Sequence, residues 1–280
     1  MKVINPFRFI YENPIQPIIC MDYNKPYVGE VFKSIENDMY MVIDYIDDNN
    51  IIIMFLDDNK GINITSYWNL KHGVVKNPFR PGFCNNYLGE GDYNKKDYLK
   101  IYQTWTGLFA RHTIEGQMKD KNASYINSSI CNEWYNYQNF ALWYDNYISS
   151  LNPLYYNDYQ LDKDILQWNQ QYKIYSPNTC CLVPKEINKA LLGSHRSRRN
   201  ELPKSISMFE KKSKVVYCPY IVRYGNRSYL GSYSTPQEAF EVYKQTKKEY
   251  IRELANKYYS INAIRWNVYQ ALCNIEILPY

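Results

Sequence analysis

Two runs rich in β-branched and aromatic residues, Tyr40–Ile46 and Ile51–Leu56, flank the turn-forming stretch Asp47–Asn50. This pattern predicts an antiparallel hairpin. Asp57–Gly61 is a second turn and Ile62–Trp68 a returning strand, so a small barrel or curled sheet is expected over about 27–76. That module carries no catalytic groups, only a binding or spacer role. Beyond Pro81 and the Gly89–Gly91 turn, the apolar period changes to steps of three and four. Tyr98, Ile101, Tyr102, Trp105, Leu108 and Phe109 predict an amphipathic helix over 97–111. Trp134, Tyr137, Phe140, Ala141, Trp143, Tyr144 and Tyr147 predict another, and both aromatic stripes read as core packing.

The next segment reads hairpin, loop, helix. Leu161–Ile165 is followed by a turn at Trp168–Gln170, then by Tyr172–Tyr175 and Thr179–Val183. Pro184 can open a short helix to about Leu192, since proline is tolerated at a first helical position. Strand alternation places Asp162 and Asp164 on one face. After the basic linker Gly193–Asn200, three short strands are expected at Lys204–Met208, Lys214–Arg223 and Arg227–Tyr233. The turn Tyr224–Asn226 offers Gly225 and Asn226 for positive φ, and Pro219 belongs at an edge or bulge. Thr235, Pro236 and Glu238 form a helix start with a capping box, and Ala239, Tyr243, Tyr250 and Leu254 line one face of that helix. The fold class is α+β. A small β module occupies 1–90, a helical-aromatic region leading into a ββα unit occupies 91–193, and a three-stranded sheet with one helix and a helical extension occupies 194–280.

Composition narrows the chemistry. No apolar run approaches the roughly 18 residues of a membrane span, and Met1–Tyr11 lacks a signal-peptide core. The chain therefore reads as cytosolic, with no membrane partner. Seven cysteines without regular spacing argue against a secreted disulfide scaffold. The adjacent Cys180 and Cys181 read as core thiols rather than a zinc pair. The net charge of +5 conceals an asymmetry: residues 193–280 hold 15 Lys and Arg against 7 Asp and Glu, while the rest of the chain is slightly acidic. Concentrated positive charge attracts phosphate through counterion release.

Tyr220–Arg223, Tyr229–Phe240 and Tyr243 resemble the plant ethylene-response-factor (APETALA-type) DNA-binding domain, in the form found in phage and bacterial mobile endonucleases. The resemblance implies a sheet laid in the DNA major groove, with double-stranded DNA contacted from the strands. By position the contacts would be Arg199, Lys204, Lys212, Lys214, Arg223 and Arg227. Arginine suits bidentate pairing with guanine and lysine suits phosphates. Ser205–Ile206 stands where the family usually has Gly-Val, and Val215–Pro219 replaces a plainer polar strand. Both departures bear on affinity and specificity.

Residues 161–192 resemble the His-Me finger of the HNH endonucleases. Tyr102–Trp105, Cys131–Trp134, Asn139–Trp143, Leu161–Leu166 and Tyr175–Pro184 are similar to a recurrent phage-encoded set, and the two resemblances together cover about 97–257. They imply one divalent metal, Mg2+ or a similar ion, held by Asp162 and Asn188, with Asp162, Lys163, Asp164 and Asn178 as the catalytic group. Where the family has a histidine general base, this chain has Lys163. Lysine, with a reference pKa of about 10.4, is protonated at neutral pH, and the flanking aspartates favour the charged form. Lys163 is thus a poor base and a candidate phosphate contact, while Asp164 is a candidate second ligand or weak base. The implied function is a phage-type, homing-type endonuclease that hydrolyses phosphodiester bonds of duplex DNA in the cytoplasm of a bacterial host. The alternative is a catalytically inactive HNH-like DNA-binding protein, serving as a phage regulator or virion component. Asp162, Asn178 and Asn188 favour the first, and Lys163 favours the second.

Overall fold

The computed structural model describes residues 21–112, 127–191, 202–211 and 214–279. The chain is mixed α+β, 38% helical and 25% strand, with its strands in separate sheets. Among the described residues, no helix is long and apolar enough to cross a membrane. The described residues divide into two compact units, residues 21–112 with 132–142, and residues 127–131 with the described residues from 143 to 279.

In the first unit, β1 (Val31–Lys33), β2 (Met39–Asp47), β3 (Asn50–Phe55) and β4 (Ile62–Thr65) form an antiparallel meander in sequence order. The β2–β3 register shifts twice, between Val42 and Asp44 and between Tyr45 and Asp47. Such irregularities sharpen twist. The side chains of Tyr40, Val42, Ile51, Ile53, Phe55 and Leu70 are buried together. The strand expected over 62–68 stops at Thr65 because Ser66 accepts a hydrogen bond from Asn69 N and caps α1 (Tyr67–His72). The helix expected over 97–111 is α2 (Leu99–His112), burying Ile101, Trp105, Leu108 and Phe109. Trp105 Nε1 donates to Trp134 O at 2.7 Å. Trp134 itself sits in a short 3-10 turn, and α3 (Tyr137–Ser149) begins only after it.

The second unit contains β5 (Ser128–Ile130), β6 (Tyr159–Asp162), β7 (Lys173–Tyr175) and β8 (Cys181–Pro184). The strand at Tyr159–Asp162 does not pair with the one at 173–175. Instead β6 pairs antiparallel with β8, while β7 pairs in parallel with β5. Pro184 ends β8, and α4 (Lys185–Leu191) follows at once, packing on both β6 and β8. Cys180 and Cys181 are buried and unbridged. Further on, β9 (Ile206–Lys211), β10 (Lys214–Arg223) and β11 (Asn226–Tyr229) form a sheet of order β11-β10-β9. The 25-residue helix α5 (Pro236–Ser260) starts with the expected capping box, Thr235 and Glu238 bonding each other's backbone N–H. α6 (Trp266–Cys273) packs against it.

Two local details of the C-terminal sheet stand out. Pro219 lies in the central strand at a bulge, where pairing slips by one residue between Tyr220–Tyr229 and Tyr217–Tyr233. Its carbonyl accepts from Leu230 N, just past the end of β11, so its missing N–H faces a stretch where regular pairing has already stopped. In the β10–β11 turn, positive φ falls on Tyr224 (52°) and Gly225 (83°), not on Asn226. Tyr224 is held there by α5: its N–H donates to Tyr250 Oη at 3.1 Å and its hydroxyl donates to Glu253 Oε1 at 2.6 Å. A Cβ on Gly225 would meet nothing within 4 Å. Gly225→Ala therefore isolates the cost of left-handed backbone, about 1–2 kcal/mol. The expected result is a lower urea midpoint with an unchanged m-value. An unchanged midpoint would show that the turn relaxes freely.

Candidate functional site

The β6 strand ends at Asp162 for a specific reason. Asp162 Oδ1 accepts hydrogen bonds from Asp164 N (2.7 Å) and Ile165 N (2.8 Å), turning the chain into the 3-10 segment Ile165–Gln167. The alternation expected to align Asp162 with Asp164 is thereby broken. Asp162 is buried, and burial raises its carboxyl pKa, with Asp164's charge adding to the rise. Lys163 is also buried, its Nζ bonded to both Asp164 oxygens at 2.9 and 3.0 Å and lying 6.0 Å from the Tyr175 ring centre. Lys173 reaches the same carboxylate. Burial pushes Asp164 upward, but the two ammonium groups outweigh it and hold its pKa below the usual carboxylate range. A carboxylate so stabilised is a weak proton acceptor.

The remaining expected residues are dispersed. Asn178 is exposed in the loop before β8. Asn188, on α4, donates from Nδ2 to Gln160 Oε1 at 2.9 Å, beside β6 but two residues before Asp162. One organising residue was missed by the sequence reading. Buried Gln167 donates to the carbonyls of Lys163 (2.8 Å) and Ile174 (3.0 Å) and accepts from Ile174 N, tying the acidic turn to β7. Nothing in its local pattern marks it. Among the described residues, no three His, Cys, Asp or Glu side chains come together as a metal site. The donor chemistry of Asp162 and Asn188 nevertheless suits a hard ion. Asp162 Oδ2 and Asn188 Oδ1 bond to nothing among the described residues, and magnesium takes few protein oxygens and keeps several waters.

The C-terminal sheet has two unlike faces. On β10 the pleat places Val215, Tyr217, Pro219, Ile221 and Arg223 on the α5 side and Lys214, Val216, Cys218, Tyr220 and Val222 on the other, although Val215 is exposed and Cys218 and Tyr220 are buried. Arg223, expected as a contact, points inward: Nη2 donates to Thr246 O at 3.0 Å, and the guanidinium lies 5.4 Å from the Tyr250 ring centre. Arg227 points outward and is exposed. Its guanidinium lies 3.6 Å from the ring centre of Tyr220 and 5.1 Å from that of Tyr229. Phe209, Val222, Tyr229 and Lys214 are exposed on the same face. Lys204 is exposed just ahead of β9, while Arg199 and Lys212 lie outside the described residues.

Comparison of the chain with protein-family models, with curated proteins and with solved structures found no match.

The acidic turn makes a paired prediction about pH. Asp162, with its pKa raised on folding, contributes stability that is full below the unfolded value of about 3.9 and lost as pH rises through the folded value. Asp164, with its pKa lowered, contributes stability that is present above about 3.9 and lost as pH falls through the folded value. Urea midpoints measured from pH 3 to 7 should therefore show Asp162→Asn gaining on wild type as pH rises, and Asp164→Asn losing ground over the same range. Parallel curves would contradict the assignment of both carboxylates.

Proposed function

We propose that this chain binds duplex DNA through the outer face of the β9–β10–β11 sheet. We further propose that its β6–β8–α4 unit is an HNH-like finger, which hydrolyses a phosphodiester bond of that DNA with one divalent ion. The observation that carries the reading is Arg227, exposed yet with its guanidinium over the Tyr220 ring and near that of Tyr229. Stacking fixes the plane of a guanidinium and leaves its N–H edge for a guanine or a phosphate. Around it lie Lys214, Phe209 and Val222, a mixture of cation and apolar surface suited to phosphates and thymine methyls. Lys204 joins this contact set, and Arg199 and Lys212 are assigned to it from sequence position. Arg223 leaves it, since its guanidinium is engaged with Thr246.

In the finger, Asp162 and Asn188 would hold the ion, which when bound stabilises charge on the phosphate and the leaving oxygen. Lys163 cannot serve as base while it is pinned to Asp164. That ion pair favours a second reading, a DNA-binding protein that does not cleave and acts as a phage regulator or virion component. On either reading the working site is the cytoplasm of an infected bacterial host.

Supercoiled plasmid with magnesium or manganese separates the two. The cleaving reading expects slow nicking by wild type and none by Asp162→Ala. It expects faster nicking by Lys163→His, since a positioned general base is worth about 10²–10⁴ in rate. Retained DNA binding with no nicking by any of the three proteins would leave only the second reading. For the sheet, Arg227→Ala should weaken duplex binding by about 1–3 kcal/mol, and Lys214→Ala should flatten the log–log salt slope by about one. Arg223→Ala should lower thermal stability first. Duplex affinity indifferent to Arg227 would remove the outer face from the account.

A further inference from the structure

The second unit contains a cleft of about 680 Å³ between α4 and the C-terminal sheet and helix. That volume lies in the range of small-molecule sites. Its walls are rich in tyrosine, including Tyr155, Tyr243 and Tyr250, and it is flanked by three lysines, Lys185, Lys189 and Lys247. Lys247 is the unusual member. It occupies the buried stripe of α5 between Tyr243 and Tyr250, only 7% exposed, and among the described residues no acceptor bonds its ammonium group. Burial alone lowers its pKa to about 8. Its side chain lies in the core and lines the cleft, and a cation so desolvated with no acceptor among the described residues is a position that a ligand anion would compensate.

The carboxylates nearby do not neutralise it. Glu186, in the cleft wall, is engaged by Lys257 Nζ at 2.8 Å and by the Tyr258 hydroxyl at 2.6 Å. Asp158 is exposed at the mouth. Lys185 and Lys189 are exposed one helical turn apart on α4, and neither makes an ion pair among the described residues. The site thus offers one largely buried lysine, two exposed rim cations and a lining rich in tyrosine.

We propose that this cleft binds a nucleoside 5′-phosphate, its phosphate on Lys247 with Lys185 and Lys189 at the rim and its base against the tyrosine walls. The same chemistry is presented by a free mononucleotide and by the 5′-phosphorylated end of a DNA strand. The proposal does not rest on duplex binding: Tyr220 and Val222 border both surfaces, but none of the cations assigned to the sheet face lines the cleft.

The test is calorimetric titration of the full chain with AMP, with adenosine, and with a short single strand carrying either a 5′-phosphate or a 5′-hydroxyl. The phosphate should be worth at least about tenfold in affinity in one of the two pairs, the size of a lost charge-assisted contact. An advantage in the AMP pair identifies the free nucleotide. An advantage confined to the strand pair identifies the strand end. Lys247→Met should abolish that advantage while melting no lower than wild type. The double variant Lys185→Ala, Lys189→Ala, altered only at exposed positions, should weaken binding several-fold without depending on how the core tolerates methionine. Duplex binding without a phosphate advantage would defeat this proposal alone, and a phosphate advantage without duplex binding would defeat the sheet reading alone, so the two failures are distinguishable. Equal affinity for phosphorylated and unphosphorylated probes, or a Lys247→Met protein with wild-type affinity, would overturn the proposal.

Discussion

One helix sets the constraint on the second unit. α5 must bury a single face along 25 residues against two different surfaces. Its first turns, through Ala239, Phe240 and Tyr243, close the three-stranded sheet with Ile206. Its last turns meet α4, where Lys257 and Tyr258 converge on Glu186. The Tyr224–Gly225 turn is fastened to the same helix through Tyr250 and Glu253. Because α5 covers one face of the sheet, Arg227 and Tyr229 on the opposite face are left to solvent, while Cys218 and Tyr220 on that face are buried. Because α5 also reaches α4, a cleft opens where the helix passes between its two partners.

Three buried ionisable groups in this unit are handled in three ways, and the contrast separates structure from candidate function. Asp162 is accommodated by two backbone N–H donors that its own turn supplies. Lys163 is accommodated by the neighbouring Asp164 carboxylate, which it shares with Lys173. Each arrangement offsets part of the desolvation cost of burying charge. Lys247 has no such compensation among the described residues. Uncompensated charge is costly enough that proteins keep it chiefly where binding or catalysis uses it.

Much of the fold was legible because the periodicity was strong. The β2–β3 hairpin, α2, the span of β10 and the capping box of α5 follow from alternation, helical spacing and cap chemistry. The finger strands were harder. The segment from Leu161 to Val183 carries three short β-rich runs, and pairing between them depends on β5, which supplies β7 with a partner more than 40 residues away. Asp162 read as one residue of a strand because an Asx-type turn and a strand end look alike in sequence. Tyr224 took the left-handed position because Glu253 and Tyr250, far along the chain, hold it there. Lys247 had a signal that was passed over: it falls four residues after Tyr243 and three before Tyr250, within the stripe otherwise read as buried. A lysine in an amphipathic helix is ordinarily assigned to solvent, and only the packing of α5 shows otherwise.

The central claim is that the sheet face turned away from α5 is the surface that meets duplex DNA. The most direct measurement is residue-resolved NMR of the full chain, with and without a short duplex at low salt. Perturbed resonances should alternate along β10, touching Val216 and Val222 but sparing Ile221, and should include Arg227 and Tyr229 on β11. Perturbations concentrated on Ala239, Tyr243 and Ile221, or absent from the C-terminal sheet altogether, would contradict it.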